Sequence, residues 1–208
     1  MKKILILFLW LMPLFSFSQS FIGGITAGLV GSQVGGDGYS GYNKAGIFAG
    51  AWVAHELSKH SSLMMELTYF QKGARHNPDY DNGDYDSYIF RTNYIEIPVL
   101  YQYKLKWFAL EGGPSMGVSA GYYEEANQDV ISDDPAYDRP ARLTLQANLG
   151  IRFFFSDAFS FTMRINYSTF NIRQDKNYDD SWSGGPKGQF NNALVAALYY
   201  RIGKKKTE

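Results

Sequence analysis

The stretch Leu143-Thr144-Leu145-Gln146-Ala147-Asn148-Leu149-Gly150-Ile151-Arg152-Phe153 places an apolar residue at every second position. A period of two is what a β-strand shows when its two faces meet different surroundings. A helix would need apolar residues three and four apart. The same alternation recurs along the chain. In 158–172, Phe159, Phe161, Met163, Ile165 and Tyr167 face one way, and Ser160, Thr162, Arg164, Asn166 and Ser168 face the other. Leu63, Met65, Leu67 and Tyr69 stand opposite Glu66, Thr68 and Lys72. Ile95, Ile97, Val99 and Tyr101 stand opposite Glu96 and Gln102, and Phe108 and Leu110 opposite Glu111.

The chain of 208 residues reads as eight strands, over 21–31, 44–54, 62–73, 90–103, 107–121, 142–155, 158–172 and 189–202. Each is long enough to cross a bilayer, for which a tilted strand needs about 9–11 residues. The connections alternate. Those at 32–43, 74–89, 122–141 and 173–188 are long, and those at 55–61, 104–106 and 156–157 are short. Long loops on one rim and tight turns on the other are the outer-membrane pattern, with the short turns periplasmic. The expected fold is therefore all-β, an eight-stranded antiparallel up-and-down transmembrane β-barrel. Its long loops are expected outside the cell and both termini in the periplasm.

The start of the chain agrees. Lys2-Lys3 precede an apolar run from Ile4 to Phe15, and Ser16-Phe17-Ser18 offers small residues for a signal peptidase. Residues 1–18 are read as a signal peptide and 19–208 as the barrel domain. There are no cysteines, so neither disulfides nor a lipidated cysteine are expected. Formal net charge is zero, and loss of Lys2 and Lys3 leaves the rest slightly acidic. That argues against general nucleic-acid binding. Glycine (21 residues) and aromatics (17%) are both abundant, as suits a barrel better than a helical bundle.

Alternation alone leaves open which face points inward. A soluble lipocalin-type barrel would turn its apolar face toward a ligand. Three features favour lipid outside. The polar face mixes small residues with Glu66, Glu96, Glu111, Arg152, Arg164 and Arg201, a set able to fill a narrow interior as a charge network. Aromatics collect at strand ends, as in Trp107-Phe108, Phe153-Phe154-Phe155 and Tyr199-Tyr200, where interfacial girdles sit. The long loops also share one side. In lipid every backbone group must be paired, so the first and last strands must meet. Pro98 and Pro114 lie in the fourth and fifth strands and donate no hydrogen bond, so a bulge or ladder gap is expected between them.

As an ordered set, Tyr69-Phe70-Gln71-Lys72-Gly73, then Asn93-Tyr94-Ile95-Glu96-Ile97-Pro98-Val99-Leu100-Tyr101-Gln102-Tyr103-Lys104, then Glu111-Gly112-Gly113-Pro114, resembles the PorT-like outer-membrane β-barrel family of Bacteroidetes. The resemblance spans roughly 21–203. It implies an outer-membrane barrel. The family's namesake is tied to secretion of exported proteases, and no residue seen here carries that role over.

Candidate chemistry lies on the long connections, which are acidic and aromatic. Tyr80, Tyr85, Tyr122, Tyr123, Tyr137 and Trp182 are candidate binding residues, because tyrosine gives large contact area at low entropy cost. The plainer reading is a solvated loop set. The run Asp79-Tyr80-Asp81-Asn82-Gly83-Asp84-Tyr85-Asp86 lacks the spacing of an EF-hand, so no metal is expected. No cofactor motif is present. His76 with nearby Asp and Ser87 could suggest a hydrolase or acyltransferase at the rim, but nothing in the spacing fixes a triad. The reading is a non-enzymatic, monomeric surface or envelope protein, in contact with outer-membrane lipid and with an envelope or extracellular protein as its candidate partner. A narrow or partner-gated transport channel is the alternative.

Overall fold

The computed structural model describes residues 21–39, 41–132, 138–173 and 188–203. The leader expected at 1–18, Tyr137, Trp182 and the basic stretch Lys204-Lys205-Lys206 lie outside the described residues. The strands are β1 (Phe21–Gly35), β2 (Lys44–Glu56), β3 (Ser61–His76), β4 (Tyr88–Lys104), β5 (Phe108–Ala126), β6 (Asp129–Val130), β7 (Leu143–Phe154), β8 (Phe159–Ser168) and β9 (Phe190–Ile202). All pairings are antiparallel, in the order β4-β3-β2-β1-β9-β8-β7-β5, and β4 pairs with β5 to close the ring. The seam joins Gly23 through Gly35 to Ile202 through Phe190. The two-residue β6 is a short hairpin partner of β5 outside the ring of eight.

The apolar residues point outward. Ile25, Leu29, Ile47, Val53, Leu67, Ile95, Leu110, Leu149, Met163 and Leu198 are all exposed, in a belt around the barrel. A soluble monomer rarely exposes a continuous apolar surface of that extent. At the short-turn rim the belt is edged by aromatics: Trp107 stacks on Phe153 at 5.7 Å and Phe159 meets Tyr200 at 5.0 Å.

Several strands differ from the limits read in the sequence, and β1 runs on to Gly35, past the expected 31. β3, β4 and β5 run several residues further at the long-connection rim, because His76 pairs with Tyr88 and Tyr88 with Ala126. A tight turn at Asn127 and Gln128, both with positive φ (50° and 71°), then folds β6 back onto β5. Positive φ at both central residues is what a two-residue hairpin turn requires. β8 stops at Ser168, short of the expected 172. The next residues turn across the mouth, and Ile172 is buried with Val34, Ala74 and Phe90 in an apolar cap.

The ladder between β4 and β5 is interrupted where the prolines sit. Pairing runs to Pro98 opposite Ser115 and resumes at Tyr101 opposite Gly112. A register shift also occurs at Asn93/Tyr94, away from either proline.

Candidate functional site

The lumen is filled. An eight-stranded barrel leaves an interior about wide enough for side chains. Here an apolar set that includes Val30, Phe48, Phe70, Tyr94 and Leu100 shares it with buried charges, which fall into three levels.

The lowest level is centred on Arg164, inward-facing on β8. Its Nη1 and Nη2 donate to the two oxygens of Glu66, both at 2.9 Å, in a bidentate fork. Its Nε and Nη2 donate to Glu111 Oε1 at 3.0 and 2.8 Å. Arg152 Nε donates to Glu111 Oε2 at 3.0 Å, and Gln102 Nε2 reaches the same oxygen at 2.9 Å. The Tyr199 hydroxyl donates to Glu66 Oε1 at 2.8 Å, and its ring lies 3.7 Å from the Arg152 guanidinium. Two carboxylates and two guanidiniums therefore balance in a site that is almost entirely buried, with Arg152 at its edge. Such a set holds only when nearly every lone pair and proton has a partner.

The middle level joins Lys72 and Glu96, an ion pair with no exposed side-chain surface. Lys72 Nζ also donates to Asn166 Oδ1 at 2.6 Å and lies 4.1 Å from the centre of the Phe70 ring. Ser115, Gln146, Asn148 and Asn166 extend this level by hydrogen bonds across β5, β7 and β8. The upper level is Arg173, which grips Glu124 through both guanidinium nitrogens at 2.9 and 2.6 Å. The Tyr88 hydroxyl donates to Glu124 at 2.7 Å, and Arg173 lies over the Phe90 ring.

Of the charges read as one lumen set, Glu66, Glu111, Arg152 and Arg164 meet directly, and Glu96 belongs to the level above. Arg201 stands apart: it is half-buried at the short-turn rim, and its Nε has no hydrogen-bond partner. Its strand position, opposite Gly24 next to the end of β9, puts it at the mouth rather than beside Glu66. Lys72, read on the polar face with Glu66 and Thr68, was left out of the charge set, and Tyr199, read as a girdle aromatic, is instead buried in the lumen because its strand parity turns it inward onto Glu66. Glu124 and Arg173 sit where strands pass into connections, so alternation gives no signal for them.

The aromatic rim also needs correction. Tyr122 and Tyr123 are not loop residues: they pair with Thr92 and Arg91 inside β5, because the β4–β5 ladder continues past the belt. Tyr122 donates to the Ser132 carbonyl, and Tyr123 to Glu125. Tyr80 and Tyr85 do lie in a connection, 68% and 72% exposed, with rings 5.7 Å apart. Tyr80 opens the short 3-10 turn Tyr80–Asn82, and Tyr85 follows it. His76 is on β3. Its Nε2 is 2.7 Å from Asp84 Oδ2, and its ring stacks on Tyr39 at 4.4 Å. Tyr39 in turn stacks on Tyr88 at 5.4 Å. The backbone of Ser87 bonds to Asn127, and no described hydrogen bond joins Ser87 to His76. Asp79 and Asp84 are occupied by Asn82, His76 and the Asp86 amide. Among the described residues no cluster of three His, Asp or Glu could hold a metal ion.

Asp37 lies beside this stack, in the β1–β2 connection. Burial pushes its carboxyl up to about 6, against a bond from the Tyr39 amide at 3.0 Å that favours the charged form. Its Oδ2 has no partner. A carboxyl raised on folding adds stability in full below its unfolded pKa of 3.8 and loses it as pH rises through about 6. Amide-exchange protection at 36–39 is therefore expected to be greater at pH 5 than at pH 7.5. Asp37→Asn should remove the difference; equal protection at both pH values in the unaltered chain would contradict the assignment.

The comparisons bear on this barrel. No curated protein matches the chain. Among solved structures, it is similar to Ail, the attachment invasion locus protein of Yersinia pestis, at 13% identity and a TM-score of 0.49, covering 87% of this chain and 98% of that one. It is also similar to the Neisserial surface protein A, at 8% identity and 0.48, covering 88% and 96%. OprG of Pseudomonas aeruginosa matches at 12% and 0.38, covering 88% and 95%. A family model described as outer membrane protein beta-barrel domain matches residues 17–174, well over half of the sequence. A closed ring with its apolar belt outward is what that description requires in lipid, and the chain belongs to the outer membrane protein beta-barrel domain family.

Proposed function

We propose that this chain is a PorT-like member of its family, a monomeric and non-enzymatic envelope protein. In this reading residues 1–18 are removed as a signal peptide, the long connections face outside the cell, and both chain termini face the periplasm. The long-connection rim binds an envelope or extracellular protein. The observation that carries the reading is the exposed Tyr80–Tyr85 pair, held on a rim that is itself built rigidly. The connection bearing the pair is tied down by the His76–Asp84 contact and by the paired backbone of His76 and Tyr88 at its base. Exposed aromatics on a fixed base are suited to recognition, since little freedom is lost on binding.

The filled lumen supports scaffolding or binding over passage. A permeant ion would have to displace the Arg164–Glu66–Glu111 set and then the apolar cap at Ile172.

Capture tests the reading. With the Tyr80→Ser/Tyr85→Ser variant, cross-linking in intact cells and affinity purification should lose a protein that the unaltered chain retains. The heat-dependent gel mobility of the barrel should be unchanged. Identical capture by the two forms would sink the rim as the binding surface.

A further inference from the structure

At the short-turn rim the barrel opens into a cavity of about 390 Å³ with a largely apolar and aromatic wall, in which the charged residues are mostly cations. Lys104, Lys106, Arg152 and Arg201 line it, against only two carboxylates, Glu56 and Asp157. None of the described ion pairs joins those two carboxylates to the four cations. Arg152 already offsets Glu111 at 3.0 Å in the charge set above, which leaves Lys104, Lys106 and Arg201 facing Glu56 and Asp157.

Two guanidinium groups are incompletely used. Arg152 is 3% exposed, and its Nη2 has no hydrogen-bond partner; Glu66 Oε1 is 3.7 Å away. Arg201 Nε has none either. A buried N–H on a cation without an acceptor is costly, and native structures seldom leave one so. A planar guanidinium binds carboxylate and phosphate oxygens through paired, charge-assisted hydrogen bonds.

We propose that this cavity is an oxyanion site. It takes one phosphate or carboxylate group, with Arg201 and Arg152 as donors and Lys104 and Lys106 supplying the field at the entrance. The group could belong to a small solute or to the carboxyl end of a peptide. Neither the rim reading nor the identity of any protein partner enters this assignment.

Trp52 and Trp107 line the same cavity and report on it. Full-length barrel in neutral lipid nanodiscs, at about 0.15 M salt to screen diffuse attraction, is titrated by tryptophan fluorescence. One arm uses inorganic phosphate. A second uses an acetylated dialanine with a free carboxylate, and a third its amide. A saturable change with phosphate, the free carboxylate or both, but not the amide, is expected; which arm responds assigns the source. Arg201→Gln, at a half-exposed position that does not disturb the Arg164 set, should weaken binding about tenfold, as loss of one charge-assisted bond predicts. Arg152→Gln should do the same if it folds, and heat-dependent gel mobility decides that. No saturable response in any arm, or an Arg201→Gln titration matching that of the unaltered chain, overturns the proposal.

Discussion

Arg164→Met is expected to lower the denaturation midpoint of the barrel more than any other single change in the lumen. Removing the guanidinium strips four of the hydrogen bonds that reach Glu66 and Glu111. Two carboxylates buried at 1% and 2% exposure would then share one remaining cation, Arg152. Breaking a buried ion set by deleting one partner costs about 3–5 kcal/mol. Replacing both partners by apolar groups is often close to neutral, so Arg164→Met/Glu66→Met should recover most of the loss. Urea unfolding in lipid vesicles, followed by tryptophan fluorescence, measures both. A single variant within about 1 kcal/mol of the unaltered barrel, the ordinary range for exposed pairs, would show that the set is not the structural centre of the lumen.

The second large effect is steric. Gly73 has φ +141°, and a Cβ there would stand 1.9 Å from the carbonyl oxygen of Phe90. Neither backbone can yield without breaking the β3–β4 ladder, in which Gly73 faces Arg91 and Ala74 faces Phe90. Lys72 and Ala74 face inward by ordinary alternation, and Gly73 between them is also buried, where the β3 backbone lies against that of β4. Gly73→Ala should cost about 1–3 kcal/mol from the backbone conformation alone, with the clash in addition. The damage should be local. Protease should cut within 77–87 in the variant and not in the unaltered protein, because the His76–Tyr88 pairing that anchors that connection would be lost. An intact connection at an unchanged melting temperature would refute the argument.

Alternation was enough to place the barrel wall. Wherever one face meets lipid and the other a packed lumen, side-chain parity is fixed, and Ser160, Thr162, Arg164, Asn166 and Ser168 fall inward. The same signal fades beyond the belt, where the outer face meets water instead of lipid and the inner face of β5 buries Glu124. That is why Tyr122 and Tyr123 look like loop residues in the sequence and why β3, β4 and β5 run past their expected ends. The crossing of the mouth by Ile172 was equally hidden, since an isolated apolar residue after a strand has no period. Which charges meet across the lumen depends on strand tilt and register around the ring, quantities that no single strand carries. Parity put Arg164 and Arg201 on the same face, and only their heights separate them.

The seam between β1 and β9 has a consequence for how the barrel is made. Thr26 bonds to Leu198, a partner 172 positions further along the chain. Loop closure over such a span comes late and slowly in folding, since the contact is about as non-local as the chain allows. Until it forms, Phe21–Gly35 and Phe190–Ile202 are two open sheet edges, each able to pair with a neighbouring chain. Pairing of the last strand with the first removes both edges at once, so a chain cut short before Phe190 would leave Phe21–Gly35 open.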